Sequence, residues 1–406
     1  MDKLFYSKSV IGNEGDRVKK VAILLTSEPE SGGGHQYLLL LMEGLQKCDK
    51  KYFDVLGICC NRFWEKWCRE YKIKHIRYGL NKYSQKEISR NIKYPYVNMI
   101  LNILKHDFAN VIRKNEVDLL ICGQQTTCIP KCPCKVIHPV HDLMHRYEPD
   151  FPEISEAYAE RELIFNNVSR IADVVLVDSN LGKQQFIESY YKKGHFPKIE
   201  VLPFVVPTHI KRVKQEYITV PEKYVFYPAQ FWEHKNHANL IQAIKLVKQK
   251  EEDIKLVLVG SEKNALLSIR KLIVEEGVEE NVSILGFVSD GQITYLYRHA
   301  IALVMPSYFG PTNIPPLEAM ALGCPVIVSN KYAMGEQVGE AGLLFDPDSP
   351  QEIAECIVRV WNDEEKRRQM ITEGYQKIAS WTQKDFKKKF IKIVLRELGI
   401  NRKKSK

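Results

Sequence analysis

Pro306-Ser307-Tyr308-Phe309-Gly310-Pro311-Thr312-Asn313-Ile314-Pro315-Pro316-Leu317-Glu318-Ala319-Met320-Ala321-Leu322-Gly323-Cys324-Pro325-Val326-Ile327 is the stretch on which the reading of this chain turns. The apolar run before it, residues 301–305, reads as a buried strand. A turn-rich loop follows. A helix then opens with prolines at its first positions, where a missing N–H costs nothing. It carries Glu318 one turn in and stops at Gly323. A second buried strand, residues 325–328, comes next. A strand that feeds a Gly/Thr/Asn loop into a helix N-terminus makes an anion site, because unbonded backbone N–H groups and the helix dipole converge there. A carboxylate one turn inside that helix suits a pair of sugar hydroxyls. Phosphate and ribose side by side describe a nucleotide.

Working outward, the same strand–helix alternation fills both halves of the chain. Strands are expected at 224–227, 255–259 (closed by Gly260), 282–285 (closed by Gly286), 301–305, 326–328 and 342–345. In the first half a strand at 19–25 leads through Gly32-Gly33-Gly34 into an apolar helix at 35–46, with His35 at its start. Further strands are expected at 53–59, 118–122, 136–140 and 173–177. The pattern predicts an α/β chain of two doubly wound parallel sheets, each covered by helices on both faces. The divisions read as residues 1–205, a polar, basic linker 206–220, a second domain 221–380, and a terminal helix with a basic tail, 381–406. In that helix Phe386, Phe390, Val394 and Leu398 form an apolar stripe at four-residue spacing. Ligands of such sheets sit at the carboxyl ends of the strands.

Several pieces in order carry a family resemblance. They are Tyr227-Pro228-Ala229-Gln230-Phe231-Trp232-Glu233-His234-Lys235-Asn236-His237, Leu258-Val259-Gly260-Ser261, Leu285-Gly286-Phe287-Val288-Ser289, the opening stretch, and Gly342-Leu343-Leu344-Phe345-Asp346-Pro347. Together they resemble the C-terminal domain of retaining nucleotide-sugar glycosyltransferases of the GT-B fold, family-4 type, most strongly over residues 221–360. Residues 18–205 are weaker but consistent, through Gly32-Gly33-Gly34, His141-Asp142 and Asp178-Ser179-Asn180.

The resemblance implies two Rossmann-like domains facing across a cleft, with the C-terminal helix crossing back to the first. It implies transfer of a hexose-type sugar, mannose among the options, from a UDP- or GDP-linked donor to a saccharide or lipid-linked saccharide, with retention of configuration. Surface polysaccharide or glycan synthesis is the implied setting. No cofactor or metal is implied, because protein cations and helix dipoles offset the diphosphate charge. Lys235 would stabilise the leaving diphosphate. Gln230, Gly260, Phe287, Val288, Pro311, Thr312, Asn313, Ile314 and Glu318 would bind the donor, with Gly33 and Gly34 approaching it from the first domain. His141 and Asp142 would lie near the transferred sugar, with His145 able to help. Two positions depart from the family. Gln230 stands where an arginine usually precedes the lysine by five residues, and Gly310 stands where the first of two paired glutamates is usual. Both departures support an alternative, a catalytically weak or inactive nucleotide-sugar-binding protein. A sugar-nucleotide epimerase of the same architecture would want more acidic residues near Gly310. A dinucleotide-dependent oxidoreductase is disfavoured, because no G-x-G-x-x-G follows either first strand.

Composition narrows the partners. A net charge of +9 over 406 residues favours phosphates or anionic lipid without pointing to nucleic acid, and no nucleic-acid-binding module is present. No signal peptide or membrane-spanning run is evident, so a cytoplasmic protein is expected, with at most a peripheral contact at the inner face of an anionic membrane. Arg90, Lys93, Lys105, Arg113 and Lys114 flank the apolar segment 96–104 and suit such a contact. Cys128, Cys132 and Cys134, with His138 and His141 near, invite a zinc reading, but no second cysteine knuckle supports it.

Overall fold

In the computed structural model, residues 17–78 and 107–400 are described, apart from residues 30, 31, 49, 128, 130, 209, 211 and 311. The basic flanks at 90, 93 and 105, the segment 96–104, Cys128, Pro311 and the tail 401–406 therefore lie outside the described residues.

Two parallel sheets organise the chain. The first has seven strands: β1 Lys19–Leu25, β2 Phe53–Cys59, β3 Lys74–Arg77, β4 Leu119–Cys122, β5 Lys135–Pro139, β6 Val174–Val177 and β7 Lys198–Val201, in the order 3-2-1-4-5-6-7. The second has six: β8 Val225–Pro228, β9 Leu256–Val259, β10 Val282–Ile284, β11 Ala302–Met305, β12 Val326–Ser329 and β13 Gly342–Phe345, in the order 10-9-8-11-12-13. Each order reverses beside its first strand, so β1 and β8 lie at the switch points where a crevice opens. Alternation along β1 builds two cores at once. Val21, Ile23 and Leu25 enter one face, while Ala22 and Leu24 enter the other. That is why the run is apolar throughout rather than alternating.

Helix Gln383–Glu397 crosses back to the first sheet, burying Phe386, Phe390 and Val394 against helix Gly33–Gln46. Gly44 permits the approach, because a Cβ there would come within 3.3 Å of Phe390 Cδ1. Lys387 Nζ donates to Glu43 Oε2 at 2.5 Å across the same contact. A capping box between Thr382 and Asp385 starts the helix.

The structure departs from expectation in several places, among them strand β7, which lies beyond the last strand expected in the first half. Strand β3 has no apolar run and went unread; Lys-His-Ile-Arg pairs at the sheet edge, where one flank faces water. Helix Gly33–Gln46 begins two residues early, which places His35 inside it, buried against Phe63 and Trp64. The segment 206–220 is more than a spacer, since Val206 and Ile210 bury in the second domain's core. Among the described residues, no helix is long and apolar enough to cross a membrane. No group of three metal-ligating side chains occurs among them either.

Candidate active site

The carboxyl ends of the two sheets face one another. Between them lies a cavity of about 400 Å³, bounded by Gly33, Gly34, Gln125 and His141 on one side and by Thr312, Asn313 and Ile314 on the other. Gly33 gives Ile314 room here: a Cβ on it would meet Ile314 Cδ1 at 2.8 Å and force that side chain to shift.

Lys235 ends a single turn, Glu233–Lys235, after β8. Asn236 follows in the left-handed conformation and caps helix His237–Lys248 by accepting from Asn239 N. Tyr227 Oη donates to Lys235 O at 3.0 Å, which fixes the turn from the strand beneath. The Lys235 Nζ lies 3.5 Å from Ser307 Oγ, and among the described residues no carboxylate lies within 4 Å of it. Burial pushes its ammonium down to about 8, against the opposing pull of Asp142 and Glu153. A sheltered cation with only distant carboxylates is set to receive an anion.

The loop of the opening stretch leads into helix Ile314–Ala321, with Asn313 as its cap residue. Thr312 Oγ1 donates to Asp178 Oδ2 of the first domain at 2.5 Å. Asn313 N donates to Gln337 Oε1 at 2.9 Å, and Gln337 Nε2 returns a bond to Asn313 O at 2.6 Å. The Asn313 N–H expected to serve a phosphate is thus held by Gln337. Glu318 accepts from Tyr297 Oη at 3.0 Å; burial pushes its carboxyl up to about 7 despite that bond. Gly323 ends the helix at φ +73°.

The structure accounts for Gly310. Its φ is +102°, and a Cβ would fall 2.6 Å from Asn313 Nδ2, whose amide donates to Gly310 O. The Asn313 side chain fills the room a glutamate would need. Gly310→Glu is therefore expected to disorder the loop rather than restore a carboxylate, adding about 1–2 kcal/mol of backbone strain to a steric clash. Thermal unfolding and nucleotide titration should show a lower midpoint together with weaker binding.

The remaining second-domain candidates lie on the same edge. Gly260 sits where a Cβ would be 2.0 Å from Ala229 O, so only glycine lets the β8 and β9 loops touch. Phe287, after Gly286 (φ +70°), is 88% exposed, while Val288 is buried. Gln230 is exposed and accepts from Trp232 Nε1 at 2.9 Å.

On the first domain, His141 follows β5 with its ring edge-on to Tyr37 (4.5 Å between centroids) and near Phe204 (5.2 Å). Burial pushes its imidazole down to about 4, so it is neutral at physiological pH. Asp142, placed beside it by sequence, faces a different task. Its Oδ1 pairs closely with Arg161 Nη2 and accepts from Met144 N, and its Oδ2 accepts from Gln125 Nε2 at 2.7 Å. Burial acts to raise this carboxyl, but Arg161 and Gln125 outweigh it and hold the group below the usual range. A carboxylate so committed anchors the loop and is a poor base. His145 also turns away from the cavity: it is buried, with Nε2 3.0 Å from both Glu162 Oε1 and Tyr190 Oη.

Sequence reasoning missed four residues here. Gln125 Oε1 accepts from the backbone N–H of His141 (2.8 Å) and Asp142 (3.2 Å); its place just past β4 could have marked it. Arg161 and Glu153 carried no local signal. Glu153 accepts from His234 N at 3.1 Å, pairs closely with His234 Nδ1 and accepts from Asn264 Nδ2 at 2.8 Å, which joins the two domains beside Lys235. Asp178 was read only as part of a motif. Glu336 Oε1 accepts from Asn180 Nδ2 at 3.1 Å, linking the two domains.

Residues 210–377 match the family described as glycosyl transferases group 1. The chain is 30% identical over 169 residues to O-antigen chain mannosyltransferase B of Escherichia coli, covering 41% of this chain and 44% of the relative. It is 29% identical over 223 residues to O-antigen chain mannosyltransferase RfbU of Salmonella typhimurium, covering 54% and 59%. The chain thus spans about half the length of these relatives. In fold it is similar to sucrose-phosphate synthase from Thermosynechococcus elongatus, with a TM-score of 0.70 at 18% identity over 94% of this chain and 100% of that one.

Proposed function

We propose that this chain, whose residues 210–377 match the glycosyl transferases group 1 and whose fold is similar to GT-B structures, is such a glycosyltransferase and transfers a hexose from a nucleotide-sugar donor to a saccharide or lipid-linked saccharide, with retention of configuration. Mannose is the favoured hexose, given the names of the matched relatives, and UDP and GDP are the candidate carriers. The setting is surface polysaccharide or glycan synthesis on the cytoplasmic side, with the acceptor offered at an anionic membrane surface.

The observation that carries this reading is Lys235 standing 3.5 Å from Ser307, in the loop that runs into helix Ile314–Ala321, with Glu318 one turn inside that helix. Lys235 and the helix dipole would offset the charge that develops on the diphosphate as the glycosidic bond breaks. Glu318 would hold the ribose hydroxyls, and the exposed Phe287 ring would frame the base. Gly33 and Gly34 admit the donor from the first domain. His141, neutral and next to the cavity, would donate to or accept from a hydroxyl of the transferred sugar. With Asp142 committed to Arg161, the acceptor's proton is best taken by the leaving phosphate oxygen itself, on the same face as the departing group. No metal is needed in this scheme.

A panel of UDP- and GDP-hexoses, assayed for release of free nucleoside diphosphate with and without acceptor oligosaccharides, tests the proposal. One donor is expected to turn over in an acceptor-dependent way. Tight binding with no release from any donor would favour the inactive, nucleotide-sugar-binding alternative. Activity is expected to survive a chelator; complete loss, restored by a divalent cation, would overturn the metal-free scheme.

A further inference from the structure

We infer that Asp178 is a proton-linked latch, a positioning residue of the first domain that holds the donor loop of the second in its closed place through Thr312. The inference rests on the donor-binding reading only for its consequence in catalysis; the latch itself is a property of the free protein.

The geometry is specific. Asp178 follows β6 at the carboxyl edge of the first sheet and is 2% exposed. Its Oδ2 accepts from Thr312 Oγ1 at 2.5 Å, and its Oδ1 accepts from Ser179 Oγ at 3.1 Å. Ser179 also caps helix Asn180–Tyr190 by accepting from Gly182 N at 3.0 Å, so the latch is mounted on a rigid helix start. Gly182 leaves room for it, since a Cβ there would stand 3.2 Å from Asp178 Oδ1. Gln337 grips the next loop residue, Asn313, from the opposite side. Residues 312–313 are thus clamped between the domains.

Around Asp178, compensation is missing. Asp142 and Tyr37 face it from the β5 loop and from helix Gly33–Gln46, and neither supplies positive charge. Glu336 and Lys377 line the same small cavity from the second domain. The Lys377 ammonium, however, donates to Glu336 O at 3.0 Å. Among the described residues, no cation lies within 4 Å of the Asp178 carboxyl. Burial therefore pushes that carboxyl up to about 7, against the two hydroxyl bonds.

In an opened cleft, water would reach Asp178 and return it towards the ordinary carboxylate value of 3.8. The closed form then holds a proton that the open form releases. Below about pH 4 both forms are protonated and closure carries no penalty from this group. Between about pH 4 and pH 7 closure weakens as pH rises, and above that it levels off.

Hydrogen exchange of the backbone amides of residues 307–317 in the full chain, corrected for intrinsic rates, tests this without any ligand. Wild-type protection is expected to fall at least about tenfold from pH 5 to pH 8. Asp178→Asn cannot ionise; its Oδ1 can still accept from Ser179 Oγ while its Nδ2 donates to Thr312 Oγ1, so its protection should be high at both pH values. Asp178→Ala and Thr312→Val should both be low throughout. Wild-type protection that does not change with pH, or an Asp178→Asn profile that follows wild type, would overturn the latch. Calorimetric titration of UDP and of GDP separates the two ideas: if neither binds wild type while the exchange pattern holds, the donor reading fails and the latch stands.

Discussion

Lys235→Ala should lower turnover about 100-fold or more, a loss of about 2.7 kcal/mol or more of transition-state stabilisation, the range seen when one preorganised donor to a developing anion is removed. The reason lies in its surroundings. Tyr227 fixes its backbone, the next residue, Asn236, is left-handed and caps the following helix, and Ser307 stands beside its ammonium. The charge is therefore placed and sheltered before the donor arrives. With the uncharged Gln230 standing five residues earlier, where the resembled family usually has an arginine, Lys235 would carry more of the burden in the proposed reaction. A pH signature should accompany the loss. With its free-protein pKa near 8, Lys235 is charged below that pH. A bound diphosphate raises it, so nucleoside-diphosphate affinity is constant below about pH 8 and falls as pH rises beyond it. In Lys235→Arg the fall should vanish, because guanidinium does not titrate in that range. Turnover unchanged in Lys235→Ala would remove the residue from the chemistry.

Arg161→Ala should be the most damaging change to the first domain. Arg161 and Asp142 are both largely sheltered, and Arg161 also reaches Asp142 O at 3.1 Å and His145 Nδ1 at 3.3 Å. Removing one partner of a buried ion pair costs about 3 kcal/mol or more, since the other charge stays behind without compensation. For a domain of this size that lowers the unfolding midpoint by about 6–12 °C. Asp142→Asn should be milder in stability and keep turnover within about tenfold of wild type, because Gln125 and Met144 still position the loop. Combining the two substitutions should recover part of the stability lost in Arg161→Ala, as neutralising the orphaned charge relieves its burial. The opposite pattern, a stable Arg161→Ala and an inactive Asp142→Asn, would make Asp142 a catalytic base after all.

Both predictions turn on how much of the site could be read along the chain. The strands of the second sheet were legible to within a residue or so, because most are short apolar runs, and β8, β9, β11 and β12 are buried along nearly their whole length. Helix Ile314–Ala321 announced itself by its prolines, by Glu318 and by Gly323. Strand β3 stayed hidden, because an edge strand need not be apolar. The departures at Gln230 and Gly310 were visible as residues, but the reason for Gly310 was not. Only the folded loop reveals that Asn313 occupies the space a larger residue would need.

Local chemistry along the sequence was enough to determine two parallel sheets and to put Lys235 and the Thr312–Ile314 loop at the carboxyl edge of the second, because strand periodicity, helix caps and loop glycines are short-range signals. The tertiary structure alone decided the charge state of the cleft. Arg161 reaches Asp142 over 19 positions, Glu153 meets His234 over 81, and Asp178 meets Thr312 over 134. Whether a carboxylate is a base, an anchor or a proton-holding latch depends on its burial and on which cation or hydroxyl the fold brings beside it, and no spacing in the chain encodes those neighbours.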